Sequence, residues 1–449
     1  MVNCDAMRSH WRSIFCILVS FVASLSAASG DQYDERFALG VFGNANLDDR
    51  IDESDIAYTQ EVIAGRMPSN NLTDANYDGK IDEDDITQIE KIIRGEEEEL
   101  TVVSKDNWHE YNVVTIKKPV KTVLTRFFDS AEVLRIFNST DMIIAVGCKN
   151  FQENSHFFPE LSHLPYVADT RASELDNEYI ISMNPDIFLG WYKENREKLP
   201  GINLIHSKLW GLNSSRDIRK LGYILDKEKE AEEYIKWHDD CINKIKEEVD
   251  KIPLDDRPRV LVALPQPGGA FGVYRGEGGT NGMDDLMTLI PVNSVGQLLP
   301  TKNYEVVDPE WVIEQNPDII IIASNLIESE GGSSFAGYDL DDPSQMARER
   351  EDFLSRPELA EVNAVKNGRV YMMEYKLFSY SQSMIIGAVY LAKWIYPDLD
   401  LNPEEIHQEY LSRFQHLDYD LNEHGVFAFP PIEVDGGLAG IPDRLAGQF

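Results

Sequence analysis

From residue 101 toward the C-terminus, short apolar runs rich in β-branched residues alternate with amphipathic stretches. The runs at 120–124, 142–146, 187–189, 260–264 and 319–323 each end in a polar or glycine turn and predict strands. The stretches between them carry apolar residues at three- and four-residue steps and predict helices. Strand, helix, strand in regular succession points to an α/β fold with largely parallel sheets. The longest helical pattern lies at 228–251, where Ala231, Tyr234, Ile235, Trp237, Ile242, Ile245 and Val249 form one apolar stripe between Glu and Lys positions.

One segment occurs twice. Leu175-Asp-Asn-Glu178-Tyr-Ile-Ile-Ser-Met-Asn-Pro185-Asp186-Ile-Phe-Leu aligns with Val307-Asp-Pro-Glu310-Trp-Val-Ile-Glu-Gln-Asn-Pro317-Asp318-Ile-Ile-Ile at a constant offset. Both copies predict an Asp N-cap (Asp176, Asp308), a helix of about two turns, an Asn-Pro stop and a buried strand. The chain therefore reads as two lobes of related build, with the long helix between them. The expected boundaries are a first lobe at 101–220, a joining helix at 221–252, a second lobe at 253–430 and a tail at 431–449.

The first hundred residues differ. Arg8 and Arg12, an apolar stretch at 14–22 and small residues at 23–30 have the three-part layout of a secretory signal peptide over 1–30. An uncleaved N-terminal anchor is the other reading; either places the bulk of the chain outside the cytoplasm. Cys16 follows Ser-Ile-Phe, which does not match a lipoprotein cleavage box, so no lipid anchor is expected. Cys148 and Cys241 remain as a pair or as two buried thiols. Residues 31–100 hold 20 acidic and 6 basic residues, and the whole chain carries a net charge of −36. Phosphate backbones would repel such a surface, which argues against nucleic acid as a partner.

The acidic residues are patterned. Asn44, Asn46, Asp48, Arg50, Asp52 and Asp55 occupy positions 1, 3, 5, 7, 9 and 12 of one loop. Asp74, Asn76, Asp78, Lys80, Asp82 and Asp85 repeat them thirty residues later. Alternating oxygen side chains, with a main-chain carbonyl at position 7, are what calcium takes. Helices are expected at 55–65 and 85–95, each stopped by glycine. Two such loops, each with only its exiting helix, resemble the type I dockerin module, a small all-α domain. The resemblance implies two bound Ca2+ ions and a cohesin-like surface partner; a calcium-stapled spacer is the alternative. Asn44 at position 1 and Asp49 in place of Gly at position 6 make the first loop the weaker calcium site. The run 96–99 reads as a solvated acidic linker closing this 31–100 domain.

The duplicated segment, the long helix, Asp-Pro-Glu-Trp-Val-Ile at 308–313 and Leu-Ala-Lys-Trp-Ile-Tyr-Pro at 391–397 together resemble the helical-backbone (class III) solute-binding proteins of ABC importers. That family carries iron–siderophores, haem and vitamin B12. The resemblance implies two Rossmann-like lobes on one long helix, a ligand cleft between them and an ABC permease as partner. By motif position Glu178 and Glu310 are the two carboxylates that dock on the permease. Loops after strands should line the cleft. There Arg126, Phe128, Arg171, Trp191, Tyr192, Tyr274, Arg275 and Tyr380 combine rings for flat apolar faces with cations for an anionic metal chelate or corrinoid.

No nucleophile elbow, phosphate-binding loop or paired-histidine metal motif is present in the sequence, so the reading is a binding protein and not an enzyme. Its rivals are a secreted dockerin-bearing adhesion protein and a carbohydrate-active hydrolase held through cohesin.

Overall fold

The computed structural model describes residues 39–105, 111–170, 173–190, 197–275, 282–300, 304–324, 336–378 and 382–448. Two loop–helix units come first. Helix α1 (Glu53–Ile63) is opened by Asp52, which accepts Ser54 N while Asp55 accepts Asp52 N. Helix α2 (Glu83–Arg94) repeats this box with Asp82, Asp84 and Asp85. Both helices thus start two residues before the expected points. The position-9 aspartates are the caps, which puts the position-12 aspartates inside the first turn. Gly95 closes α2 in the left-handed conformation.

An antiparallel hairpin follows, β1 (Glu99–Lys105) with β2 (Tyr111–Lys117). Val41 bridges to Val102, and Val103 N donates to Gly40 O at 2.8 Å, so the module and the hairpin share main-chain bonds. The run 96–99 is not a solvated linker. Glu97 is 6% exposed and Glu99 already belongs to β1. The cause is Lys118, whose ammonium lies 3.4 Å from Glu97, 2.6 Å from Asp226 and within hydrogen-bond reach of the Tyr223 and Ile224 carbonyls.

The first lobe holds β3 (Val123–Thr125), α3 (Phe128–Ile136), β4 (Ile143–Val146), α4 (Asn150–Glu153), α5 (Asn177–Met183), β5 (Ile187–Leu189) and β6 (Asn203–Ile205). Its strands form a four-stranded, wholly parallel sheet in the order β4-β3-β5-β6. Helix α6 (Ser215–Leu225) then ends at Asp226, in the left-handed region at φ 56°, before α7 (Glu228–Val249) begins. The joining rod is therefore α7 alone; 221–225, assigned to it from the sequence, complete α6.

The second lobe contains β7 (Arg259–Pro265), β8 (Phe271–Tyr274), α8 (Gly282–Leu289), β9 (Asn293–Ser294), β10 (Tyr304–Val307), α9 (Pro309–Gln315), β11 (Ile319–Ser324), α10 (Ser344–Leu354), α11 (Asn363–Lys366), β12 (Val370–Glu374), α12 (Met384–Ile395), α13 (Pro403–Glu409) and β13 (Ala428–Phe429). The sheet order is β10-β8-β7-β11-β12-β13, with β9 also on β7. β7, β11 and β12 are parallel at its centre, and the β8, β10 and β13 pairings are antiparallel. The chain closes with hairpin β14 (Ile432–Val434) and β15 (Gly437–Ala439). Ile432, Ala439 and Ile441 are buried, so 431–449 is not a loose tail.

The two copies of the duplicated segment lie in separate sheets, one per lobe. In each, an Asn in the left-handed region ends the helix, Asn184 at φ 47° and Asn316 at φ 43°. The following Asp then ties the strand to its neighbour. Asp186 Oδ2 accepts the amides of Lys121 and Thr122. Asp318 Oδ2 accepts Arg259 N, and its Oδ1 accepts Asn363 Nδ2. Cys148 and Cys241 are both buried, and burial pushes the Cys241 thiol up to about 12.

Candidate functional site

Parallel strands place their following loops at one sheet edge, where α/β proteins take ligands. Arg126 follows β3; its amide donates to Leu189 O at 3.1 Å and its side chain is 6% exposed. Gly147, after β4, is required there, because a Cβ would lie 2.2 Å from Arg126 O. The ends of β3, β4 and β5 thus pack tightly around the Arg126 backbone.

The second lobe meets this edge with the carboxyl end of β12. Lys376 Nζ reaches Asn154 Oδ1 at 2.5 Å and sits 5.0 Å from the Phe128 ring centroid. Phe128 in turn packs edge-on to Phe151 at 4.6 Å and stacks on Phe158 at 5.3 Å. This aromatic cluster leaves Phe128 half-buried. Nearby, Phe157 stacks on Tyr338 at 4.4 Å, and His156 Nδ1 lies 2.6 Å from Asp339 Oδ1.

Beneath these contacts the lobes share a buried polar seam. Glu132, 2% exposed, accepts Gln382 N at 2.9 Å and Tyr410 OH at 2.8 Å. Tyr234 OH of α7 donates to Gln382 Oε1 at 3.0 Å. A buried, hydrogen-bonded carboxylate of this kind fixes relative position, because breaking any one bond strands a polar group away from water.

A further interlobe contact uses residues that the sequence pattern did not single out. Asn213 Nδ2 donates to Asp285 Oδ1 at 3.2 Å, and Gly211 leaves no room for a side chain beside that carboxylate. Burial raises the Asp285 carboxyl, offset in part by Lys208. Lys208 Nζ lies 4.6 Å over the Trp210 ring. The signal was available: this loop follows β6, as the other candidate loops follow their strands. β6 is three residues long and opens on Asn, too weak a pattern to read as a strand.

Of the other expected ligand contacts, Tyr274 ends β8, half-buried, with its ring 5.1 Å from that of Tyr304, and Arg275 follows it, also half-buried. Arg171, Trp191, Tyr192 and Tyr380 lie outside the described residues. Arg126 and Phe128 are thus placed at the facing edges, while Tyr274 and Arg275 close an antiparallel strand of the second lobe. Glu178 and Glu310 occupy the same second position of α5 and α9, and both are exposed. Exposed apolar residues flank each: Tyr179 and Ile181 beside Glu178, and Ile313 beside Glu310.

Two sheets facing through loops at their strand ends, on a single helical rod, define a two-lobed binding protein. The family of periplasmic binding proteins matches residues 145–377, just over half of the chain, and the chain belongs to that family. No curated protein sequence matches it. Among solved structures, the TroA-like periplasmic binding protein FepB of Veillonella parvula aligns with a TM-score of 0.59 and 21% identity, covering 73% of this chain and 99% of that one. The molybdate periplasmic binding protein MolA of Haemophilus influenzae, bound to molybdate, gives 0.54 and 17%, covering 71% and 99%. Helicobacter pylori CeuE in its Ni-His complex gives 0.52 and 16%, covering 71% and 96%. At these identities the likeness is one of fold. The family match begins within the first lobe and does not reach the N-terminal module. Among the described residues no helix is long and apolar enough to cross a membrane.

Proposed function

We propose that the protein is the extracytoplasmic solute-binding component of an ABC importer. It captures an anionic metal chelate, an iron–siderophore, haem or corrinoid, between its lobes and hands it to a permease. The observation that carries this reading is the facing of the two sheets through their strand-end loops, with Arg126 on one side and Lys376 on the other, in a chain of the periplasmic binding family. Cationic groups at a partly desolvated edge of an otherwise acidic molecule favour carboxylate, catecholate or phosphate oxygens. The Ni-His and molybdate cargo named for two structures of the same fold fits a metal-bearing ligand. Glu178 and Glu310 then serve as paired permease contacts: equivalent carboxylates on equivalent helices, each beside exposed apolar side chains, fix register on a basic partner.

Native mass spectrometry of the protein purified from its own host tests the reading. A co-purified metal chelate is the expected result. Recovery of only ligand-free protein, with no tryptophan fluorescence change on adding ferric-siderophore, haem or cobalamin, refutes it.

The N-terminal module supports a second reading, a dockerin-like calcium domain. In each loop the position-12 carboxylate is fully buried, with both oxygens held by main-chain amides: Asp55 by Asn46 and Asp52, Asp85 by Asn76 and Asp82. This donor set suits a hard cation such as calcium. Among the described residues no three His, Cys, Asp or Glu side chains converge as a metal cluster, so asparagine and main-chain oxygens would have to complete the shell. Bound calcium would offset the excess of carboxylates in these loops.

A further inference from the structure

We propose that the two loops of the module have separated in function. Loop 1 (44–55) is a metal-independent clasp onto α6 and α7, and loop 2 (74–85) alone takes calcium. The inference rests on the calcium reading above for loop 2 and goes beyond it for loop 1.

The two loops are equivalent position by position, so their differences can be compared directly. At position 6, loop 2 has Gly79 at φ +87°, the sharp turn that a calcium loop needs there. Loop 1 has Asp49, which is not among the described residues with positive φ. The two backbones otherwise follow the same turns, and the Asp49 side chain turns to the lobe. Arg216 Nε donates to Asp49 Oδ1 at 2.5 Å, and Arg219 Nη1 lies 4.0 Å from Asp49 Oδ2. At position 7, Arg50 pairs with Glu232 of α7 at 3.4 Å, and Glu232 is also bound by Arg219. At position 8, Ile51 N donates to the Tyr223 hydroxyl at 3.0 Å, and Ile51 is 6% exposed. Three consecutive loop residues therefore meet α6 and α7. Among the described residues Gly79 and Lys80 of loop 2 make no such contact: both are exposed, and a Cβ on Gly79 would meet nothing within 4 Å.

The interiors differ as well. In loop 2, position 1 is Asp74, whose two oxygens accept the amides of Asp78 and Gly79. In loop 1 it is Asn44, fully buried, whose Nδ2 donates to the Leu39 and Asp48 carbonyls at 2.9 and 2.8 Å. Those two acceptors set the amide's orientation. Asn44 Oδ1 keeps no hydrogen-bond partner, but a neutral oxygen offers a cation less than the Asp74 carboxylate in the same place. Asn46 Nδ2 likewise donates to Asp48 Oδ2 at 2.8 Å. In loop 1, then, amide donors hold the Leu39 and Asp48 carbonyls and one Asp48 carboxylate oxygen, while Arg216 and Arg219 hold Asp49 against α6.

Native mass spectrometry of the full chain in calcium is expected to count one ion per chain, lost in Asp74→Asn and kept in Asp48→Asn. Two ions per chain would overturn the clasp while leaving the calcium reading intact; none would overturn the calcium reading itself and this assignment with it. Hydrogen exchange on the unaltered chain gives an independent answer. The Ile51 amide should exchange within about twofold of the same rate in calcium and in EDTA, whereas the Lys80 and Asp82 amides should slow about tenfold or more in calcium. Equal slowing of both loops would overturn the proposal.

Discussion

The two lobes share one unit and little else. Each has a short helix, a left-handed Asn, a Pro and an Asp that pins the next strand. Around that unit the first lobe builds four parallel strands, whereas the second builds a wider sheet with antiparallel edges. A shared element within divergent surroundings shows where the constraint lies. The unit positions Glu178 and Glu310 alike, while the sheets are free to differ in strand number and in the loops they offer a ligand.

That comparison can be broken at the pinning aspartates. Each accepts two hydrogen bonds from donors at the foot of its sheet. Asp186→Ala and Asp318→Ala should each cost about 2 kcal/mol, since each removes two hydrogen bonds to a carboxylate acceptor. Urea unfolding of both variants measures this, and a large loss in one lobe with none in the other would show that the two copies are not structurally equivalent. A smaller effect is expected at the two carboxylates proposed to dock. Glu178→Ala and Glu310→Ala should each lower delivery to the permease about tenfold, leaving ligand affinity unchanged. Transport in reconstituted vesicles, set beside ligand titration, separates the two quantities. A defect confined to one position would mean that the lobes dock unequally.

Measured per pH unit, the smallest effect belongs to the second lobe alone. Glu404 is half-buried, its Oε1 lacks a hydrogen-bond partner, and burial pushes its carboxyl up to about 8. Such a group holds its proton in the folded state after the unfolded chain has lost it. Stability should therefore fall as pH rises from about 5 to 8, by on the order of 1 kcal/mol per pH unit at most. Glu404→Gln should flatten that slope in chemical denaturation, and an unchanged slope would assign it to another group.

Much of this architecture was legible because it rests on strong local signals. Asn-Pro after a short helix, β-branched runs such as Ile319–Ser324, and a long amphipathic stripe each have one reading. The parts that were not legible depend on distant partners. Glu97 looks like one of four solvated glutamates until Lys118 is folded against it. Asp52 and Asp82 look like calcium ligands, yet they are also helix caps that shift each helix by half a turn. Phe128 follows β3 as a contact residue would, and its packing on Phe151 and Phe158 is seen only in the fold. Lys208, Trp210 and Asp285 went unread because β6 is too short to announce itself.

The buried ammonium of Lys118 bears on how this molecule can be dissected. It touches Glu97 from the acidic module, the last carbonyls of α6 and Asp226 at the start of the rod, while Val41 and Gly40 are hydrogen-bonded into the β1 strand. A chain shortened to begin at residue 101 would lose the first residues of that strand and one of the two carboxylates opposing a sequestered positive charge. Residues 39–100 are thus no detachable handle, and a truncated chain would report on its own injury before it reported on the module's purpose.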